Sequence, residues 1–324
     1  MTLISRSVRT LTVILSVSTI SLAAAAQDSK PVLKLIVGSP PGGSADLLTR
    51  LVADKIKGSL DRTVIVENKA GAAGGLAADT VRRAAPDGNT LWVTPSANVV
   101  SQPLAFRNIK YDPFKDFTPV SELATFQMAL VVPAGTSSTV QQYLAQAKAD
   151  PAKAAYASPA AGSQLHFNGV MLSDESKVPL LHVPYQGTAP ILPALVGGQV
   201  PAAFLVLSDA IQYHRSGRFK AIGVTGEQRS PFLPDVPTFK EQGYNSLTGV
   251  AWYAVFAPAH TPKPVVDEIS KAMANALKDP ELRKKLDTVG LDGTGTTPDE
   301  LAKVHRRDWD RLGPVIKASG FKGE

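Results

Sequence analysis

The side chains and backbone groups best placed to do chemistry here are hydroxyls, amides and bare glycine backbone. The densest cluster is Gly38-Ser39-Pro40-Pro41-Gly42-Gly43-Ser44-Ala45-Asp46. Its prolines restrict φ, and its glycines permit backbone geometry closed to other residues, so the stretch reads as a sharp turn. It follows the apolar run Leu33 to Val37, which reads as a buried strand. It precedes Leu47, Leu48, Leu51, Val52 and Ile56, which share one helical face. A strand-to-helix turn of this kind leaves unpaired N–H groups at a helix N-terminus. That end carries partial positive charge and suits an anion. A plain βα connection has the same outline, so the rest of the chain decides what the turn is for.

Competing chemistries are poorly served. The chain has no cysteine, which excludes disulfides, a thiol nucleophile, cysteine metal sites and an acylated lipoprotein anchor. The five histidines (His166, His182, His214, His260, His305) form no metal-ligand spacing, and none begins H-E-x-x-H. No metal or other cofactor is expected. Gly42-Gly43-Ser44-Ala45-Asp46 departs from the nucleophile elbow G-x-S-x-G at its last position. Gly43-Ser44 lacks the lysine of a P-loop, and no strand leads into G-x-G-x-x-G. A secreted serine hydrolase using Ser44 or Ser163 stays as an alternative, because a triad drawn from distant residues shows only in geometry. Net charge is +6 with Lys and Arg scattered along the chain, a poor match for nucleic acid.

The elements that position these groups alternate. Residues 1–26 read as a leader: Arg6 and Arg9, the apolar run Leu11 to Leu22, then Ala23 to Ala26 as a cleavage site. The product is expected to be exported. Strand Thr63 to Val66 leads to a second small-residue loop, Glu67 to Gly75, and a helix from Leu76 to Ala85. Strand Thr90 to Thr94 ends at Pro95-Ser96-Ala97-Asn98. Three such units argue for parallel strands with ligand loops at their carboxyl edge. Tyr111 to Val120 reads as a proline-punctuated connector. A second α/β run then carries the loops Ser158 to Ser163, Pro184 to Gly187 and Ser208-Asp209. Gly249 to Pro258 is the return strand, followed by helices at Pro264 to Leu277, Pro280 to Val289 and Pro298 to Ala318. Trp252 and Trp309 read as core. The expected division is 27–128 plus 251–324 for lobe 1 and 129–250 for lobe 2.

The motifs, taken in order, resemble those of the tripartite tricarboxylate transporter receptors, the Bug family. The first turn carries the opening signature. Val64-Ile65-Val66-Glu67-Asn68-Lys69-Ala70-Gly71-Ala72 is similar to the second loop. Pro86-Asp87-Gly88, Tyr111-Asp112-Pro113, Val183-Pro184-Tyr185, Leu233-Pro234-Asp235-Val236-Pro237-Thr238 and Ala257-Pro258 continue the series. The resemblance spans nearly the whole chain after the leader. It implies an α/β, type II periplasmic binding-protein fold, with two lobes around a ligand cleft joined by two crossing segments. It also implies a periplasmic role as a monomeric, non-enzymatic receptor. Such a receptor would pass a small carboxylate to the membrane permease of a tripartite transporter, or signal through a membrane sensor kinase. By motif match the ligand-binding residues are Pro41, Gly42, Gly43, Ser44, Asp46, Ala72 and Asn98 in the first lobe. In the second they are Ser158, Gly162, Ser163, His166, Tyr185, Gly187, Ser208 and Asp209. Ser44 could cap its helix as well as meet ligand. Asp46 suits a dipole or water-holding role. His166 suits a role pinning its loop, and Tyr185 that of pocket wall. Gln186 stands where the family has a basic residue, and Pro193 and Pro201 where it has aspartate.

Overall fold

The computed structural model describes residues 31–323; the expected leader, 1–26, lies outside them. The chain begins with β1 (Val32–Val37), α1 (Ser44–Ile56), β2 (Thr63–Asn68), α2 (Gly75–Arg82) and β3 (Thr90–Pro95). Leu33, Leu35, Ile36 and Val37 are buried on β1, and Leu48, Val52 and Ile56 seal α1 against the sheet. Apolar strands covered by apolar helix stripes are what a parallel sheet requires. The short helices α3 (Ser96–Val99) and α4 (Ser101–Ala105) follow.

Phe117–Phe126 is a ten-residue strand, β4, whose first four residues were expected in the connector Tyr111 to Val120. The reason is local. Pro119 removes a ladder donor, but it sits opposite Phe256, beside a register shift that absorbs the lost bond. Periodicity alone does not reveal a strand whose proline is excused by a bulge.

After β4 the chain crosses to a second sheet. It builds β5 (Met128–Pro133), α5 (Val140–Ala149), β6 (Ala155–Ser158), α6 (Gln164–Ser176), β7 (Leu181–Pro184), α7 (Ile191–Val196), β8 (Ala203–Val206), α8 (Leu207–Arg215) and β9 (Phe219–Val224). It then returns through β10 (Ala251–Pro258) and ends with α9 (Lys263–Ala276), α10 (Pro280–Asp287), β11 (Asp292–Gly293) and α11 (Pro298–Ala318). The sheets run β11-β4-β10-β3-β1-β2 and β7-β6-β8-β5-β9. In the first, β1 pairs in parallel with β2 and β3, and β10 runs antiparallel between β3 and β4. In the second, β6 pairs in parallel with β7 and β8, and β5 runs antiparallel between β8 and β9.

The two sheets are thus two α/β lobes, each carrying a returning antiparallel strand, joined by two crossings. Trp92, Trp252 and Phe256 fill the centre of the first lobe. Trp309, expected in the core, is only half-buried, edge-on to Phe114 at 5.0 Å. Among the described residues no helix is long and apolar enough to cross a membrane.

Candidate functional site

In the first sheet the chain leaves β1 toward β2 on one side, while β3 lies on the other. Such a reversal opens a crevice beyond the carboxyl ends of the strands. A cavity of about 280 Å3 occupies it, lined from β1 and its loop by Gly38, Ser39, Gly43, Ser44 and Ala45. Ala73 comes from the loop after β2, Val93, Pro95 and Asn98 from β3 and beyond, and Tyr253 from β10. None of these residues is charged. What the wall offers is backbone N–H and side-chain hydroxyl or amide.

Three details suit it to an anion. First, α1 has Gly43 as its N-cap, with no side-chain cap. Ser44 therefore opens the helix rather than capping it, which corrects that reading. Gly43, Ser44 and Ala45 of that helix start line the cavity, at the positive end of the helix. Second, the loop before α2 holds Ala72 and Ala73 at φ of 47° and 50°. Two left-handed alanines cost on the order of 1–3 kcal/mol each, and such strain collects at ligand sites. Third, Ser39 Oγ is buried without a partner among the described residues. A buried hydroxyl is normally satisfied, so this one awaits a ligand or water.

Asp46 has a different task. Its carboxylate accepts from the Gly42 N–H at 2.9 Å, Arg50 Nε at 3.0 Å and Asn68 Nδ2 at 2.9 Å. Burial alone would raise its pKa; the bonds from Arg50, Gly42 and Asn68 outweigh that and hold it below the ordinary value. The residue locks the turn and cancels the Arg50 charge. It also occupies the Gly42 N–H, so that donor is not free for ligand. Pro41 and Gly42 are exposed on the turn, outside the cavity wall. Ala72 is exposed beside Ala73, which takes the lining position.

Tyr253 was not among the expected site residues. The Ser44 hydroxyl hydrogen-bonds its phenol, whose pKa is pushed up to about 12 by burial and by the nearby charge of Asp209. The signal lay in strand alternation. Trp252 is buried on one face with Nε1 donating to Asp308 at 2.8 Å, so Tyr253 must emerge on the other.

The second lobe's loop after β6 is spent on itself. Ser158 Oγ lies 2.8 Å from His182 Nε2. Ser163 caps α6, accepting from the His166 N–H and donating to the Ala160 carbonyl at 2.7 Å. His166 Nδ1 accepts from the Gly162 N–H at 3.1 Å, and its ring stacks on His182 at 3.9 Å. Gly162 packs beneath Phe106 and Phe321. Burial lowers the pKa of both histidines to about 4, His166 adding to the effect on His182, so both are neutral at pH 7. The Tyr185 and Gly187 N–H groups donate to the Ser158 and Pro159 carbonyls, fastening the loop after β7 alongside. Ser208 and Asp209 sit apart from this knot, lining a second cavity with Thr188. Neither serine of the hydrolase alternative is paired with a histidine ring: Ser44 meets Tyr253 and Ser163 caps α6. Among the described residues no cluster of three His, Asp or Glu is arranged to hold a metal.

Against known proteins, the family model described as tripartite tricarboxylate transporter family receptor matches residues 48–321. Protein BugT of Bordetella pertussis is 30% identical over 292 residues, 90% of each chain. Among solved structures, MatC from Rhodopseudomonas palustris with bound malate is 30% identical with a TM-score of 0.75, covering 88% of this chain and 98% of its own. R. palustris Rpa4515 with adipate is 27% identical with a TM-score of 0.79, covering 90% and 98%.

Proposed function

Because this chain belongs to the tripartite tricarboxylate transporter receptor family, whose members are solute-binding proteins, we propose that it is a periplasmic receptor for a small organic carboxylate. It captures the acid in the cleft and delivers it, as a monomer, to the membrane permease of a tripartite transporter. The observation that carries this is the cradle at the head of α1: uncapped N–H groups, the unpartnered Ser39 hydroxyl, Ser44 and the Asn98 amide around a wall without charge. Such a wall holds a carboxylate by directed hydrogen bonds and a helix dipole, with water completing the shell. Backbone donors cost no reorganisation when the anion arrives. Without a cationic side chain the anion is not held so tightly that release becomes difficult. The malate and adipate in the two R. palustris proteins fit the same chemistry.

A panel of carboxylates tests it by thermal shift, since a ligand that binds only the folded state stabilises it by RT ln(1 + [L]/Kd), about 2.7 kcal/mol at a hundredfold excess over Kd. Gly43→Asp is the control. Gly43 has ordinary extended φ and ψ of −78° and 167°, and a Cβ there meets only the Pro40 carbonyl, 3.9 Å away. The variant should fold, place its own carboxylate in the cradle and lose the shift. A full shift in Gly43→Asp places the ligand elsewhere and refutes the reading.

A further inference from the structure

Asp209 stands on the second lobe, in the first turn of α8. Its carboxylate lines the second cavity, about 360 Å3, with Thr188, Leu192, Ser208, Gln212 and Tyr213. Thr188 Oγ1 donates to Asp209 Oδ2 at 2.9 Å. Among the described residues no other donor and no cation is paired with it. Burial raises its pKa, and the Thr188 bond offsets this only in part. A half-buried carboxylate with a single side-chain donor has acceptor capacity left for a ligand N–H or O–H.

Tyr253 relates this carboxylate to the cradle. Its side chain lines the cradle and bonds Ser44, while the Asp209 charge is close enough to act on its phenol. The charge of Asp209, from the opposite lobe, thus reaches a side chain of the cradle wall. The two walls have opposite demands: the first offers donors to an anion, and the second holds an acceptor that wants a donor. A second ligand carboxylate placed there would meet a like charge with no cation between them.

We propose that Asp209 is the specificity-determining residue of the cleft, accepting a hydrogen bond from a hydroxyl or ammonium group at the ligand's end remote from its carboxylate. The ligand class is then a hydroxy or amino acid rather than a dicarboxylate. This rests on the carboxylate-receptor reading above. Thr188 holds the carboxylate in place, and Asp209 does the selecting.

Calorimetry on the full chain with two matched probe sets tests it: 4-hydroxybutyrate, 4-aminobutyrate, succinate and butyrate, and the corresponding 4-hydroxy, 4-aminomethyl, 4-carboxy and unsubstituted benzoates. In at least one set the hydroxyl or ammonium member should bind roughly tenfold or more tighter than the dicarboxylate, the worth of one charge-assisted hydrogen bond. In Asp209→Asn, which keeps an acceptor for Thr188, that preference should fall below about threefold, with the dicarboxylate gaining. Thr188→Val, which cuts the tie but leaves the charge, should retain the preference. A dicarboxylate bound as tightly as the donor-bearing acids by the unaltered protein overturns the proposal. So does an equal weakening of every probe in Asp209→Asn, which marks a purely structural residue. Dicarboxylate-selective binding leaves the carboxylate-receptor reading standing, whereas failure of all eight probes to bind refutes that reading and this one together.

Discussion

Polar side chains around the cleft divide by whether their hydrogen bonds are spent. Asp46, Ser158, Ser163 and His166 have partners within the protein, while Ser39 Oγ has none and Asp209 has a single donor. The sequence shows which residues carry polar groups, but not which are already paired, since partners such as Ser158 and His182 lie 24 positions apart. The histidine pair carries a pH prediction. Burial depresses both folded pKa values to about 4, from an ordinary 6.5. Between those values the unfolded chain binds protons that the folded one refuses, so stability is full above about pH 6.5 and falls as pH drops toward 4. His182→Gln, which can still bond Ser158, should flatten that decline in urea-unfolding free energies measured from pH 7.5 to pH 4.5. An unchanged slope would mean that His182 titrates normally.

Whole loops decide the cradle's shape at the scale of the elements. The segment Gly71 to Gly74 carries four consecutive positive φ values, two on alanines. Gly74, at φ +94°, is packed so closely that a Cβ would lie 2.0 Å from Asn98 Nδ2. The glycine is there so that Asn98 can reach the cavity. Gly74→Ala should therefore expel the Asn98 amide. It should lower ligand affinity about tenfold, and cost more than the ~1 kcal/mol of an ordinary positive-φ substitution. Calorimetry beside Asn98→Ala checks this: the two losses should not add, because both remove one contact. Strands, helix starts and the glycine-rich turns were legible from periodicity and composition. β4 was not, because Pro119 masks it, and neither was the choice of Ala73 over Ala72 as lining residue, which the path of the folded loop decides.

For the molecule as a whole, the crossings are tied together. The Thr225 N–H donates to the Met128 carbonyl at 3.0 Å, and its Oγ1 accepts from the Met128 N–H at 3.1 Å. The Thr225 carbonyl accepts from the Gly249 N–H at 2.7 Å. One residue thus grips both strands that pass between lobes, with Gly249 at φ +149° allowing the second to bend. A fold of two lobes on paired crossings closes by hinge motion about its ligand. Small-angle scattering should show the radius of gyration falling when a carboxylate that raises the melting temperature is added. Scattering that stays constant at saturating ligand would mean that the cleft captures its ligand without closing.

Local chemistry settled a good deal before any folding was considered. Residue order alone determined the alternating strands and helices, the turn that bares a helix N-terminus, the absence of thiol chemistry and the family resemblance. All of these depend on neighbours within a few positions or on motif order. Tertiary structure decided which donors remain free, that Tyr253 completes the first wall, and that the charge of Asp209 reaches it from the other lobe. The last two depend on groups brought together across 44 to 209 positions of chain. A hydrogen bond made inside the fold removes a donor from the site without changing any letter of the sequence.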